Sequence, residues 1–131
     1  MRREAACTFA LLVLMLLPGP GGALSAHHSQ AAYDGEQRVE VRGTVVEFSW
    51  KNPHVFVVWD TKDSSGKAVR WTGEMSSTNT MMAAGLRRSS LKVGDEIVVI
   101  VSPAKAGNPS GLVRRISTAD GKLTVDRLTG Q

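Results

Sequence analysis

The 131-residue chain has a single cysteine, Cys7, which lies within an N-terminal apolar run. A chain with one cysteine forms no internal disulfide and builds no multi-thiolate metal cluster. Aromatic residues are scarce at 5%, and after residue 17 no apolar run is long enough to cross a bilayer. Basic and acidic residues are interspersed, with a net charge of +4, so the sequence lacks a concentrated basic footprint. We therefore expect neither a nucleic-acid partner nor a transmembrane segment in the mature chain.

The N-terminus has the three-part order of a secretory signal peptide. Two basic residues, Arg2 and Arg3, precede an apolar run over 5–17, a Pro-Gly break over 18–22 and small residues over 23–26. The residues after the arginine pair do not continue a twin-arginine signal, which favours general secretion. We expect residues 1–25 to be removed and the mature protein to be periplasmic or secreted. Cysteine would then be absent from the mature chain.

The remainder divides into two parts. Residues 26–37 have neither a period of two nor one of 3.6, which predicts an irregular N-terminal arm. Residues 38–131 form a single predicted domain whose core must come from roughly 105 mature residues. Alternating or β-branched segments separated by turn residues predict strands at 39–50, 54–60, 68–75, 97–101, 112–117 and 123–125, with a short helix at 80–84.

Three strands, a short helix and further strands are the element order of the oligonucleotide/oligosaccharide-binding (OB) barrel. We therefore predict a mainly β protein, a five- to six-stranded OB-like β-barrel with one short helix between strands 3 and 4. Another small barrel or an open sandwich with the same strand count is the alternative. The first strand changes its apolar face partway along, and Gly43 is the predicted position of a bend or bulge.

Several motifs resemble those of DUF6152, an uncharacterised family of small exported bacterial proteins. They are His27-His28-Ser29, the strand Gly43-Thr44-Val45, and Asn52-Pro53-His54 within Trp50–Val55. The likeness continues through Trp71, Glu74 and Leu91–Asp95, and so covers essentially the whole mature chain. The resemblance implies no established activity. This chain departs from the family pattern near the helix, where Ser77-Thr78-Asn79 replaces a Ser-Pro-Asn start and Leu86 replaces a tryptophan after Gly85.

All three histidines, His27, His28 and His54, lie at a predicted chain end or strand-turn junction. Imidazole is a common ligand for transition metals such as copper and zinc, so these three are the candidate metal ligands. Cleavage after Ser25 or after Leu24 would place a histidine third, where the α-amine, two backbone nitrogens and imidazole suit Cu(II). Cleavage after Ala26 would make His27 the first residue, whose amine and ring chelate one ion. Alternatively, the histidine pair binds metal only adventitiously and His54 hydrogen-bonds its turn.

A second hypothesis is ligand binding by an aromatic and basic barrel face, with a glycan, peptide or protein partner. Its candidate residues are Trp50, Asn52, Trp59, Arg70 and Trp71. The competing interpretation is that the tryptophans belong to the core. Similarly, Met75, Met81 and Met82 are expected to plug the barrel rather than bind copper. Ser49 and Asp60 could join His54 in catalysis, but no nucleophile motif accompanies them, so we expect a non-enzymatic binding module.

Overall fold

The computed structural model describes residues 30–126. Within that range six strands and the helix between the third and fourth strands follow the predicted order, with small changes in their ends, and residues 30–31 of the arm are also helical. They are β1 (Val39–Ser49), β2 (Phe56–Lys62), β3 (Ala68–Glu74), α1 (Thr78–Ala83), β4 (Glu96–Pro103), β5 (Ser110–Thr118) and β6 (Thr124–Asp126). The prediction of a mainly β chain with a short helix between the third and fourth strands is confirmed.

The strands form one sheet in the order β3-β2-β1-β4-β5-β6, and β3 also pairs with β5. Since β3 and β5 are otherwise distant in this order, their pairing closes five strands into a barrel and leaves β6 as an extra strand on β5. The closing pairing is parallel and short, covering Thr72–Glu74 against Ser110–Leu112. This closed arrangement is OB-like, as the element order predicts.

Strand β1 serves both halves of the barrel because it pairs with β4 through Val39–Thr44 and with β2 through Thr44–Ser49. The bulge expected at Gly43 lies instead between Val45 and Glu47. The extra residue explains the change of face, because Val45 is buried and Phe48, three residues on, also packs against the core. Gly43 has a different role: a Cβ there would lie 2.2 Å from the Asp60 carbonyl oxygen.

The core is formed by the inward faces of the strands and closed by the helix. Ser77 caps α1 through its hydroxyl, which accepts from the Thr80 amide, and the helix buries Met81. Met75 and Met81 are almost fully buried, whereas Met82 is 41% exposed, so only two of the three methionines expected to plug the barrel do so. The core residues are Val41, Val45, Val55, Val57, Trp59, Met75, Met81, Leu86, Leu91, Ile97, Val99, Val101, Val113, Ile116 and Val125.

The closing pairing requires a position without a side chain. A Cβ on Gly73 would lie 2.5 Å from Val113 Cγ2 and 3.0 Å from Trp59 Cζ3. Contacts that short do not occur between real side chains without displacement of the neighbours. Gly73 therefore allows β3 and β5 to approach closely enough to hydrogen-bond.

Candidate functional site

His54 lies in the connection between β1 and β2, immediately after the cis Asn52–Pro53 peptide bond. Its Nδ1 atom is 2.8 Å from Oε1 of Glu74, the last residue of β3. The His54 side chain is 29% exposed and that of Glu74 is 11% exposed. The carboxylate is thus nearly covered by protein, while part of the imidazole ring contacts solvent.

The second oxygen of the same carboxylate is bound by the N-terminal arm. The Tyr33 hydroxyl donates to Glu74 Oε2 at 2.8 Å. Burial, the hydrogen bond to Glu74 and the carboxylate charge all raise the pKa of Tyr33, in that order of size. The phenol therefore keeps its proton and remains a donor at neutral pH. We refer to Tyr33, His54 and Glu74 as the carboxylate cluster.

Backbone hydrogen bonds bring these three residues together from distant parts of the chain. The Met75 amide donates to the Val55 carbonyl at 2.8 Å and the Val55 amide donates to the Ser76 carbonyl at 3.0 Å, which sets residue 54 beside residue 74. On the other side, a bridge between Tyr33 and Ala104 holds the arm against the end of β4. The Asp34 amide also donates to the Pro103 carbonyl at 2.8 Å.

The cluster fixes the orientation of the imidazole ring. A carboxylate accepts the proton of Nδ1, so in the neutral ring Nε2 carries the lone pair. Histidines that bind metals commonly donate their other nitrogen to a carboxylate in this way, which fixes the ring and raises its basicity. His54 thus has the orientation that a metal-ligating histidine requires.

The other two predicted metal ligands, His27 and His28, lie outside the described residues. Across residues 30–126 no three His, Cys, Asp or Glu side chains converge to hold a metal ion. The described part of the chain therefore contains no complete metal centre, and it includes His54 as one of the three predicted ligands.

The five residues predicted to bind a ligand fall into two groups. Trp59, Arg70 and Trp71 lie on β2 and β3, where the two indoles stack with centroids 6.0 Å apart. Trp59 has no exposed surface, and its indole nitrogen has no hydrogen-bond partner within residues 30–126. Trp59 is therefore part of the hydrophobic core. Arg70 forms an ion pair with Asp60 at 2.8 Å.

Trp50 and Asn52 form the second group, beside α1. The Asn52 side-chain oxygen accepts from the Thr78 amide at 3.1 Å and from the Thr78 hydroxyl at 3.0 Å. Trp50 packs partly against the core, with its ring 5.7 Å from that of Phe48. Asn52 thus connects the β1–β2 loop to the start of the helix.

A cleft of about 710 Å³ opens beside Trp71. Its walls come from β1, the ends of β2 and β3, and the loop between β4 and β5, and they include Val41, Val69, Trp71 and Asn108. The cleft lies at the part of β3 that precedes the closing pairing with β5. Of the five predicted ligand-binding residues, only Trp71 lines this cleft.

Sequence reasoning missed Tyr33 and Glu74 as site residues. Alternation placed Glu74 on the polar face of β3 with Arg70 and Thr72, yet Gly73, Glu74 and Met75 are all buried. The signal available was weak: Glu74 is part of the family resemblance, and Tyr33 is the one tyrosine of the chain. Asp60, the carboxylate considered for a catalytic arrangement with His54, pairs instead with Arg70.

The fold and the cluster define a small OB-like β-barrel that carries a carboxylate-oriented histidine at its edge. No helix within residues 30–126 has the length and apolar character needed to span a membrane. A family model described as "Family of unknown function (DUF6152)" matches residues 16–115. The chain belongs to this family, as its motifs predict. No curated protein and no solved structure matches the chain.

Proposed function

We propose that the protein is exported and binds one Cu(II) ion through its N-terminal histidines, with His54 as an additional ligand. The observation that carries this proposal is the 2.8 Å contact between His54 Nδ1 and the nearly buried Glu74 carboxylate. That contact directs the lone pair of Nε2 away from the protein carboxylate and makes the imidazole available to a cation. Nitrogen ligands in a tetragonal arrangement favour Cu(II) over other divalent ions.

The arm supports the same proposal because it is attached to the carboxylate that orients His54. Tyr33 and His54 each contact one oxygen of Glu74 at 2.8 Å. His28 precedes Tyr33 by only five positions in the sequence. The N-terminal histidines thus belong to the same arm as a residue that shares the Glu74 carboxylate with His54.

The test is a copper titration followed by electron paramagnetic resonance on the protein as the cell processes it, with its intact mass measured to identify the first residue. We expect one Cu(II) per chain in nitrogen coordination. His27→Ala/His28→Ala should abolish this signal, because it removes the main chelate. Unchanged copper uptake in this double variant would contradict the proposal.

His54→Ala tests the additional ligand separately. We expect weaker binding, by about tenfold, and loss of one nitrogen from the hyperfine pattern, within the range seen for losses around metal sites. Asn108→Ala, which changes an exposed residue of the β4–β5 loop, is the control and should leave the spectrum unchanged. If His54→Ala also leaves it unchanged, copper binds the arm alone.

A second candidate function is ligand binding in the cleft beside Trp71. The supporting observation is the cleft of about 710 Å³, within the range of small-molecule sites, with a mainly apolar lining that includes Val41, Val69 and Trp71. A short neutral glycan or a peptide that binds there should alter tryptophan fluorescence, and Trp71→Leu should abolish that change. Because Trp71 is remote in sequence from the histidines, His27→Ala/His28→Ala should not affect it.

A further inference from the structure

Two adjacent arginines, Arg87 and Arg88, differ from three exposed arginines of the strands. On the strands, Arg42 pairs with Glu40 at 2.8 Å, Arg70 pairs with Asp60 at 2.8 Å, and Arg115 pairs with Asp126. Each of these positive charges therefore has a carboxylate beside it, which lowers its attraction for an external anion.

Arg87 and Arg88 are held by backbone carbonyls instead. Arg87 Nη1 donates to the Met82 carbonyl at 2.6 Å and to the Leu86 carbonyl at 2.9 Å, and Arg88 Nη2 donates to the Trp50 carbonyl at 3.2 Å. Within residues 30–126 no carboxylate forms an ion pair with either residue. Carbonyls fix the guanidinium groups without cancelling their charge, so two positive charges are positioned in advance at the surface.

The same hydrogen bonds join the two arginines to the backbone of Met82 and of Trp50. Lys51, which is exposed, follows Trp50 directly, and Met82 on α1 is 41% exposed. The hydrogen bonds from Thr78 to Asn52 connect the β1–β2 loop with the helix. We call Trp50, Lys51, Met82, Arg87 and Arg88 the basic end of the barrel.

We propose that the basic end docks the protein onto an anionic lipid surface. Each Lys or Arg close to such a surface raises partitioning by about fivefold, and a membrane presents many anionic headgroups in one plane to all three cations. The exposed apolar side chain of Met82 gains further at the boundary between headgroups and acyl chains. The proposal is independent of copper binding, since none of these five residues is a proposed copper ligand.

The apolar residues of the basic end, Trp50 and Met82, favour a lipid surface over a nucleic acid as the partner. Sequence-tolerant nucleic-acid binding depends on exposed aromatic rings that stack on bases. Trp50, the one aromatic residue of the basic end, is partly covered by Phe48 and the core, whereas the exposed apolar member is Met82. A thioether neither stacks on a base nor donates a hydrogen bond, but it enters hydrocarbon readily.

The experiment measures co-sedimentation of the protein, as the cell processes it, with phosphatidylcholine vesicles and with vesicles of equal parts phosphatidylcholine and phosphatidylglycerol. We expect a strong preference for the anionic vesicles that weakens with added salt. Lys51→Gln/Arg87→Gln/Arg88→Gln should reduce binding to the anionic vesicles by at least about tenfold. The N-terminal residues are the same in all variants, so their contribution to either vesicle cancels in the comparison.

The matched control removes three exposed lysines elsewhere, as Lys62→Gln/Lys67→Gln/Lys105→Gln, and should reduce binding far less. Circular dichroism checks the fold of each variant. If the first triple variant does not fold, Lys51→Glu, a single change in an exposed loop residue, should reduce binding, and Arg87→Lys/Arg88→Lys should retain it. No preference for anionic vesicles, or equal losses in the two triple variants, would overturn the proposal. The proposal would also be overturned if binding to a soluble DNA duplex depended on the basic end and binding to vesicles did not.

Discussion

The two halves of strand β3 have the same neighbour on one side and different neighbours on the other. Both halves pair with β2 in continuous antiparallel register from Ala68 to Glu74. Only Thr72–Glu74 also pairs with β5, whereas residues 68–71 have no strand of the described barrel on that side. We call these the closed half and the open half of β3.

The surroundings of their charged residues differ accordingly. In the closed half, Glu74 is 8% exposed and accepts hydrogen bonds from His54 and Tyr33 in a setting where such bonds are strengthened by low polarity. In the open half, Arg70 and Asp60 form an ion pair that water screens. Closing the barrel therefore converts a carboxylate on a strand into an orienting group for a histidine.

The largest expected effect on stability comes from adding a side chain at Gly73 in the closed half of β3. Gly73→Val would place carbon atoms where Val113 and Trp59 already lie, because even a Cβ would be 2.5 Å from Val113 Cγ2. We expect a loss of about 3 kcal/mol in the free energy of unfolding, the upper part of the range for overpacked sites. Chemical denaturation measures it.

The matched control for this change lies in the open half of the same strand. Ala68 is exposed, so Ala68→Val puts the same valine side chain at a position where it displaces only solvent. We expect little change in unfolding free energy. Similar losses at positions 68 and 73 would show that the two halves do not differ as described.

A smaller effect is expected from Glu74→Gln. Glutamine has an NH2 group in place of one carboxylate oxygen, so either the Tyr33 hydroxyl or the His54 Nδ1 proton then faces a donor where it faced an acceptor. We expect a loss of about 1–2 kcal/mol in unfolding free energy, the cost of a partly buried group left without its partner. Thermal denaturation measures it, with the exposed Glu47→Gln as control. Equal stability of Glu74→Gln and the parent protein would mean that the cluster contributes orientation but no stability.

The smallest effect is expected in the open half, from Arg70→Ala. The hydrogen bond and the charge of Arg70 hold the pKa of Asp60 below its ordinary value. A lowered pKa in the folded state adds stability above the ordinary pKa of the carboxyl, and this contribution is lost as pH falls through the lowered value. Nuclear magnetic resonance titration should show the pKa of Asp60 rising in the variant, with no resolvable change in melting temperature. A clear drop in melting temperature would place this pair among the stabilising interactions of the barrel.

Much of the architecture could be predicted because it depends on local pattern. Alternation in β3, the apolar run of β2 and the capping residues before α1 each identify an element without reference to the rest of the chain. The position of the bulge could not be predicted, because it depends on where β1 changes partners from β4 to β2. Gly43 suggested a bulge, but its lack of a side chain serves the close approach of Asp60.

The candidate site was predictable only in part. His54 could be predicted because histidine is rare in this chain and follows a turn. Its partners lie far away in the sequence: Glu74 follows His54 by 20 positions, and Tyr33 precedes Glu74 by 41. Alternation assigned Glu74 to a solvent-facing set. Burial by strand closure and by the arm overrides that assignment, and neither can be read from the period of one strand.

By itself, the sequence determined the strands, the helix, the family and the histidines available for chemistry, because each depends on residue type and short-range spacing. Only the tertiary structure decided which carboxylate meets His54, which tryptophan is buried and which arginines pair with a carboxylate. These outcomes depend on where β3 meets β5 and where the arm crosses β4. Such contacts join residues far apart in the chain, and their energies are fixed by burial and geometry once the barrel has closed.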